Sequence, residues 1–306
     1  MRLSALVVVP YVLVAGMFIG FQRSLLYPAL QTGPLPAAEF ALPGVELADV
    51  TTTTADGLTL HGWEAADDVA EPSAERTLVL VFHGNGGHRA QSLNAAEIFC
   101  DLGADVLLFD YRGYGENAGE PSEAGLVADA RAMWNFATQQ RGVRPDRIVL
   151  YGASLGGGVA VALAAELCNE GTPPGGLIVR STFSSMTDAA SHHYPWLPIR
   201  LALLDRYDSL ARIGDVDCPL LSLHGDADEV VPLNLGRKLF DAAPARSASG
   251  VEKRFVVLAG AGHNDVLSVT PDTFRSAVAG FLDRLFPGDS HDQQRRQSKS
   301  ASSTPR

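Results

Sequence analysis

Cysteine is scarce in this sequence. Cys100, Cys168 and Cys218 are the only 3 among 306 residues. Odd in number and far apart, they exclude a disulfide framework and lack metal-ligand spacing, so each reads as a small buried hydrophobe. Positive charge is also short. The 24 Lys and Arg against 35 Asp and Glu leave a net charge of −11, which argues against a nucleic-acid partner. No internal repeat is visible, and no residue cluster suggests a metal site. Charge is absent altogether from Leu3 to Phe21. As a helix this stretch would span roughly 29 Å, close to the thickness of bilayer hydrocarbon. Arg2 and Arg23 bracket it, and Tyr27 suits an interfacial position. The expectation is a single-pass anchor over residues 1–23, with the following domain outside the cytoplasm. A cleaved signal peptide is the alternative, with small residues at Val14-Ala15-Gly16. Cutting there, however, would leave the apolar run Met17–Phe21 as the new terminus.

The rest of the chain is nearly half apolar, enough for one large α/β domain. Residues 24–44 form a linker, rich in Pro, Ala and Gly from position 28 onward. Val50–Thr54 and Leu58–Trp63, separated by Ala55-Asp56-Gly57, read as a hairpin of the kind that edges a mixed sheet. Apolar runs then alternate with helical stretches. The runs are Thr77–Phe82, Val106–Phe109, Ile148–Tyr151, Leu177–Val179, Leu220–Leu223 and Phe255–Leu258. A run apolar at every position suits a parallel strand buried on both faces. The alternation predicts an α/β fold with a mostly parallel, doubly wound sheet over residues 45–287, where ligands sit beyond the carboxyl ends of the strands. Pro195–Leu210 reads as a short cap suited to an acyl chain. Residues 288–306 hold many Ser, Gln, Arg and Lys and read as a disordered basic tail.

The chain is organised around Gly152-Ala153-Ser154-Leu155-Gly156, which lies between a strand-like and a helix-like run. A serine between two glycines at such a corner fits a nucleophile elbow. Strain lifts its hydroxyl clear of the sheet, and the following helix points its positive end at an oxyanion. A serine needs a base, and histidine titrates near neutrality. Of 8 histidines, His263 lies in Gly260-Ala261-Gly262-His263-Asn264-Asp265, after the last strand. The base needs an acid to fix its tautomer. His224–Pro232 offers Asp226, Asp228 and Glu229. Asp228 is preferred, since Asp226 can cap the turn and Glu229 can face water. Two backbone amides must hold the developing oxyanion. Leu155 follows the nucleophile, and Asn85 is the best-placed donor in the loop His83-Gly84-Asn85-Gly86-Gly87. A phosphate loop is excluded there because the required lysine and hydroxyl are missing. Asp110 and Arg112 are read as bracing their own loop.

Taken together, these segments resemble the α/β-hydrolases. Within that superfamily they are similar to the membrane-anchored α/β-hydrolase-domain proteins, a group that includes protein depalmitoylases. The resemblance rests on His83–Gly87, Asp110–Gly115, Gly152–Gly156, Ser181–Ser185, His224–Pro232 and Gly262-His263, in the family's order across roughly residues 20–286. It implies Ser154 as nucleophile, Asp228 as acid and His263 as base. Arg180 departs from relatives, which often carry an acidic residue there, and this bears on the substrate. The expectation is a serine hydrolase that cleaves esters or thioesters of small-molecule or lipid acyl substrates through an acyl-enzyme. It would need no metal or organic cofactor, and it would meet a membrane through the N-terminal helix. The alternatives are a serine peptidase or amidase on the same fold, and a non-catalytic membrane-bound interaction protein.

Overall fold

A computed structural model describes residues 2–28, 31–67 and 76–287 of the chain, residues 2–7 and 67 by backbone alone. Eight strands form one sheet: β1 (Val45–Thr53), β2 (Thr59–Asp67), β3 (Leu78–Phe82), β4 (Asp105–Phe109), β5 (Ile148–Ala153), β6 (Gly176–Arg180), β7 (Leu220–Gly225) and β8 (Arg254–Leu258). Their order is β1-β2-β4-β3-β5-β6-β7-β8. The hairpin β1–β2 pairs antiparallel and joins β4 antiparallel, while every pair from β4 to β8 is parallel.

The helices are α1 (Arg2–Gly20), α2 (Gln22–Leu26), α3 (Leu93–Asp101), α4 (Glu123–Asn135), α5 (Leu155–Asn169), α6 (Met186–His193), α7 (Ile199–Ala202), α8 (Ser209–Arg212), α9 (Leu233–Ala242), α10 (Val266–Val269) and α11 (Pro271–Leu285). The apolar runs explain their distribution. In β3, Leu78, Leu80 and Phe82 face a core shared with α4, α5 and α9. Val79 and Val81 face a second core, shared with α3 and α11. Successive side chains point to opposite faces, so a strand covered on both sides is apolar along most of its length. The last run behaves differently. β8 lies at the edge of the sheet, and its Phe255 is shielded by Phe240 and by the Arg237 guanidinium, 3.8 Å from its ring centroid.

The hairpin is longer than the sequence suggested, with Thr53 and Thr59 as its last paired residues. Its Asp-Gly turn is held locally. Gly57 takes a φ of +86°, and the Thr54 hydroxyl donates to the Asp56 carboxylate at 2.6 Å. The Asp56 carboxylate also accepts from Arg112 at 2.8 Å, and Arg112 forks onto buried Asp129 at 2.8–2.9 Å. Asp110 likewise braces its loop, but through Arg89 rather than Arg112.

The N-terminus does not support the spanning helix expected from the sequence. α1 forms, yet among the described residues no helix is long and apolar enough to cross a membrane, so the spanning anchor over 1–23 is not found. The groups expected to flank a bilayer are instead used within the protein. Arg23 pairs with Asp205 at 2.9 Å. Tyr27 is 4 % exposed, and its hydroxyl meets that of Tyr207 at 2.9 Å. The tail at 288–306 lies outside the described residues.

Candidate active site

β5 ends at Ala153 and α5 begins at Leu155, which leaves a single residue to turn the corner. That residue, Ser154, has φ +53° and ψ −118°, a region L-residues rarely occupy. Neighbours hold it there. Ser154 N–H donates to the Arg180 carbonyl at 2.9 Å, and its own carbonyl accepts from the Thr182 hydroxyl at 2.8 Å. The flanking glycines serve close packing. A Cβ on Gly152 would strike the backbone of Gly156 and Gly157. One on Gly156 would strike the carbonyl of Phe82 on the neighbouring strand.

Two loops reach the same strand ends. Asp228 follows β7. Its Oδ1 accepts from the amides of Val230 at 2.9 Å and Val231 at 2.8 Å. Its Oδ2 lies 2.8 Å from His263 Nδ1, and His263 Nε2 lies 3.0 Å from Ser154 Oγ. Burial raises the Asp228 pKa, but the His263 hydrogen bond and the Val231 amide outweigh it and hold the carboxyl below its ordinary value. An ionised Asp228 can only accept, so Nδ1 carries the proton and Nε2 is left to accept from the serine hydroxyl. The three residues therefore form one directed chain of hydrogen bonds. Asp226 and Glu229 stand outside it. Asp226 accepts from Gly260 N–H at 2.6 Å, so it ties the β7 turn to the His263 loop rather than capping locally, and Glu229 is exposed. Behind Asp228, burial keeps His224 below the ordinary imidazole range, and the neutral ring meets the Val231 carbonyl at 2.8 Å.

The loop after β3 carries Asn85, which lines a pocket together with Ser154 and Leu155. Beneath it lies a buried polar layer that sequence reasoning did not pick out. Arg89 is 1 % exposed. It spans Asp110 at 2.5 Å and Glu116 at 2.6 Å, and stacks 4.7 Å over the Trp63 ring. His83 packs against Tyr111 with its Nε2 3.5 Å from Asp110, and burial keeps it neutral by lowering its pKa. A lone arginine among loop residues gave no sequence signal for this, because its partners come from several segments.

The pocket is an open cavity of about 240 Å³. Met186, Leu197 and Ile199 line it from the cap, which is longer than Pro195–Leu210 because α6 belongs to it. Phe18, Leu25 and Leu26 line it from the N-terminal helices. No acidic side chain is among the lining residues described. Among the described residues there is also no group of His, Cys, Asp and Glu able to hold a metal ion.

A mostly parallel sheet that offers a strained serine at one strand end, with a histidine and a carboxylate brought over from the last two, is the architecture of the α/β-hydrolases. The chain belongs to that superfamily. It is 41 % identical over 266 residues to the uncharacterised protein Rv2307c of Mycobacterium tuberculosis, covering 87 % of this chain and 89 % of that one. It is 36 % identical over 195 residues to the lysophosphatidylserine lipase ABHD12 of Danio rerio, covering 58 % of this chain and 50 % of the lipase. The serine aminopeptidase S33 family profile matches residues 73–207, which include Ser154 but stop short of Asp228 and His263. Among solved structures, the Pyrococcus furiosus esterase Pf2001 superposes with a TM-score of 0.63 at 21 % identity, over 84 % of this chain and 97 % of the esterase.

Proposed function

We propose that this α/β-hydrolase cleaves esters or thioesters of acyl chains by a two-step serine mechanism. Ser154 attacks the carbonyl carbon as His263 Nε2 takes the hydroxyl proton, and Asp228 holds the imidazolium that forms. The amides of Leu155 and Asn85 receive the oxyanion. His263 then protonates the leaving oxygen or sulfur, which departs and leaves an acyl-Ser154. Water, deprotonated by His263, releases the acid and restores the serine. The observation that carries this reading is the unbroken chain from Asp228 through His263 to Ser154 at 2.8 and 3.0 Å, opening onto a pocket lined mostly by apolar side chains.

The lipase and esterase among its relatives support an ester substrate. The aminopeptidase profile brings in a peptidase alternative. An aminopeptidase must pair the substrate's α-ammonium, and the described pocket lining offers no carboxylate for that. A panel of p-nitrophenyl esters, acyl thioesters and aminoacyl amides separates the two. The expected result is turnover of esters and thioesters, with Ser154→Ala lowering it by on the order of a millionfold. Near-normal hydrolysis by that variant, or preferential cleavage of aminoacyl amides, would contradict the reading.

A further inference from the structure

The pocket has two walls of different origin. Met186, Tyr194 and Leu197 come from the cap, while Phe18, Ile19 and Leu25 come from the N-terminal helices, more than 120 positions before the serine in the sequence. The second wall is fastened in place. Gln22 donates to the Ala202 carbonyl at 3.3 Å and accepts from Leu204 N–H at 2.7 Å. Arg23 pairs with Asp205, which is 7 % exposed, at 2.9 Å. The Phe18 ring meets those of Tyr194 and Trp196 at 5.4 and 5.8 Å. Tyr11 donates to the Trp196 carbonyl at 3.0 Å. At the inner end, the Asn85 side chain donates to the Leu26 carbonyl at 2.9 Å, so the wall reaches the loop that borders Ser154.

We propose that Phe18–Leu26 is the acyl-selecting wall of the site, and that it sets which chain lengths the enzyme accepts. The proposal rests on Ser154 being the nucleophile of an ester hydrolase. Its own support is separate: large apolar side chains lie along one side of the cavity, held to the cap by a salt bridge and several hydrogen bonds. An extended, unbranched acyl chain is the ligand that fits a slot apolar on both sides. A bulky or polar acyl group would leave the Phe18 and Leu25 surfaces uncovered. The apolar run before Gln22 then has a task within the protein, because its last turn binds substrate.

The test compares kcat/KM for p-nitrophenyl decanoate with that for p-nitrophenyl acetate in the full-length protein. Leu25 is 58 % exposed, so a charge there costs the fold little, yet it borders the cavity. Each methylene seated on apolar surface is worth roughly fourfold in selectivity. Leu25→Asp is therefore expected to lower the decanoate-to-acetate ratio by at least about tenfold. Ile19→Trp, which fills the cavity from the same wall, should lower it as well. Leu201→Asp places the same charge on a cap residue that is 86 % exposed and outside the lining, and should leave the ratio at the wild-type value. Unchanged ratios in both wall variants, with thermal melts like wild type, would overturn the acyl wall while leaving the serine mechanism standing. Absence of all ester turnover in the wild-type protein would overturn both.

Discussion

Ser154 shows how a local sequence pattern becomes chemistry. A residue at φ +53° stores strain of about 1–3 kcal/mol, tolerated because the two glycines let α5 press against β3 and β5. Gly156→Ala would drive a methyl into the Phe82 carbonyl, a backbone atom that cannot turn aside. We expect it to cost at least about 2 kcal/mol of stability, read as a lowered urea midpoint. Gly86→Ala in the neighbouring loop meets nothing within 4 Å and should shift that midpoint by less than about 0.5 kcal/mol. At Asp228, the isosteric Asp228→Asn keeps the shape but lets His263 present the wrong nitrogen to the serine. Turnover should fall by about ten-thousandfold, less than for Ser154→Ala, at near-wild-type KM. That Ser154, Asp228 and His263 meet was legible in the sequence, because each lies in a turn or loop that follows a recognisable strand and the motifs run in a fixed order.

At the scale of elements, the N-terminal helices were the hardest to read. A charge-free run flanked by arginine looks the same in sequence whether its apolar side meets lipid or a protein cap. The partners of its flanking residues lie about 180 positions away, where Asp205 binds Arg23 and Tyr207 meets Tyr27. No local pattern announces such pairings. The same distance hid the hydrogen bond from Asn85 to the Leu26 carbonyl. That bond ties the loop after β3 to the N-terminal helices. Asn85→Leu is therefore expected to lower kcat for p-nitrophenyl acetate roughly tenfold, with KM little changed. Acetate turnover at the wild-type rate would show that the bond does not position the loop. The central strands were far more legible, since a strand covered on both faces has few polar positions to disguise it. β8 was an exception to that rule, because an edge strand can keep an apolar sequence when aromatic and cationic neighbours shield it.

For the whole molecule, buried titratable groups set the response to acid. Burial holds His83 and His224 below the ordinary imidazole value. The unfolded chain takes up protons at these positions as pH falls below about 6.5, while the folded protein does not, so stability declines from there. Asp228 adds to the loss at lower pH. Its folded pKa lies below the ordinary carboxylate value, and its contribution disappears as pH falls through that folded pKa. Urea midpoints measured from pH 8 to pH 5 should stay level and then drop, and His224→Gln should flatten part of the drop. A midpoint independent of pH across this range would show that these rings are not held neutral. The sheet and its mixed edge were visible in the sequence as alternating runs and an Asp-Gly hairpin. The ionic layer around Arg89 was not, because it draws Asp110, Glu116, Leu35 and Trp63 from separate segments.

The central claim is that Ser154 is a nucleophile activated by His263. Labelling with a fluorophosphonate probe, followed by mass spectrometry of the modified peptide, tests it most directly. The wild-type protein should carry a single phosphonyl group on Ser154. Ser154→Ala should carry none, and His263→Ala should label slower by several orders of magnitude. A folded wild-type protein that leaves Ser154 unmodified, or a His263→Ala variant labelled at the wild-type rate, would contradict the account.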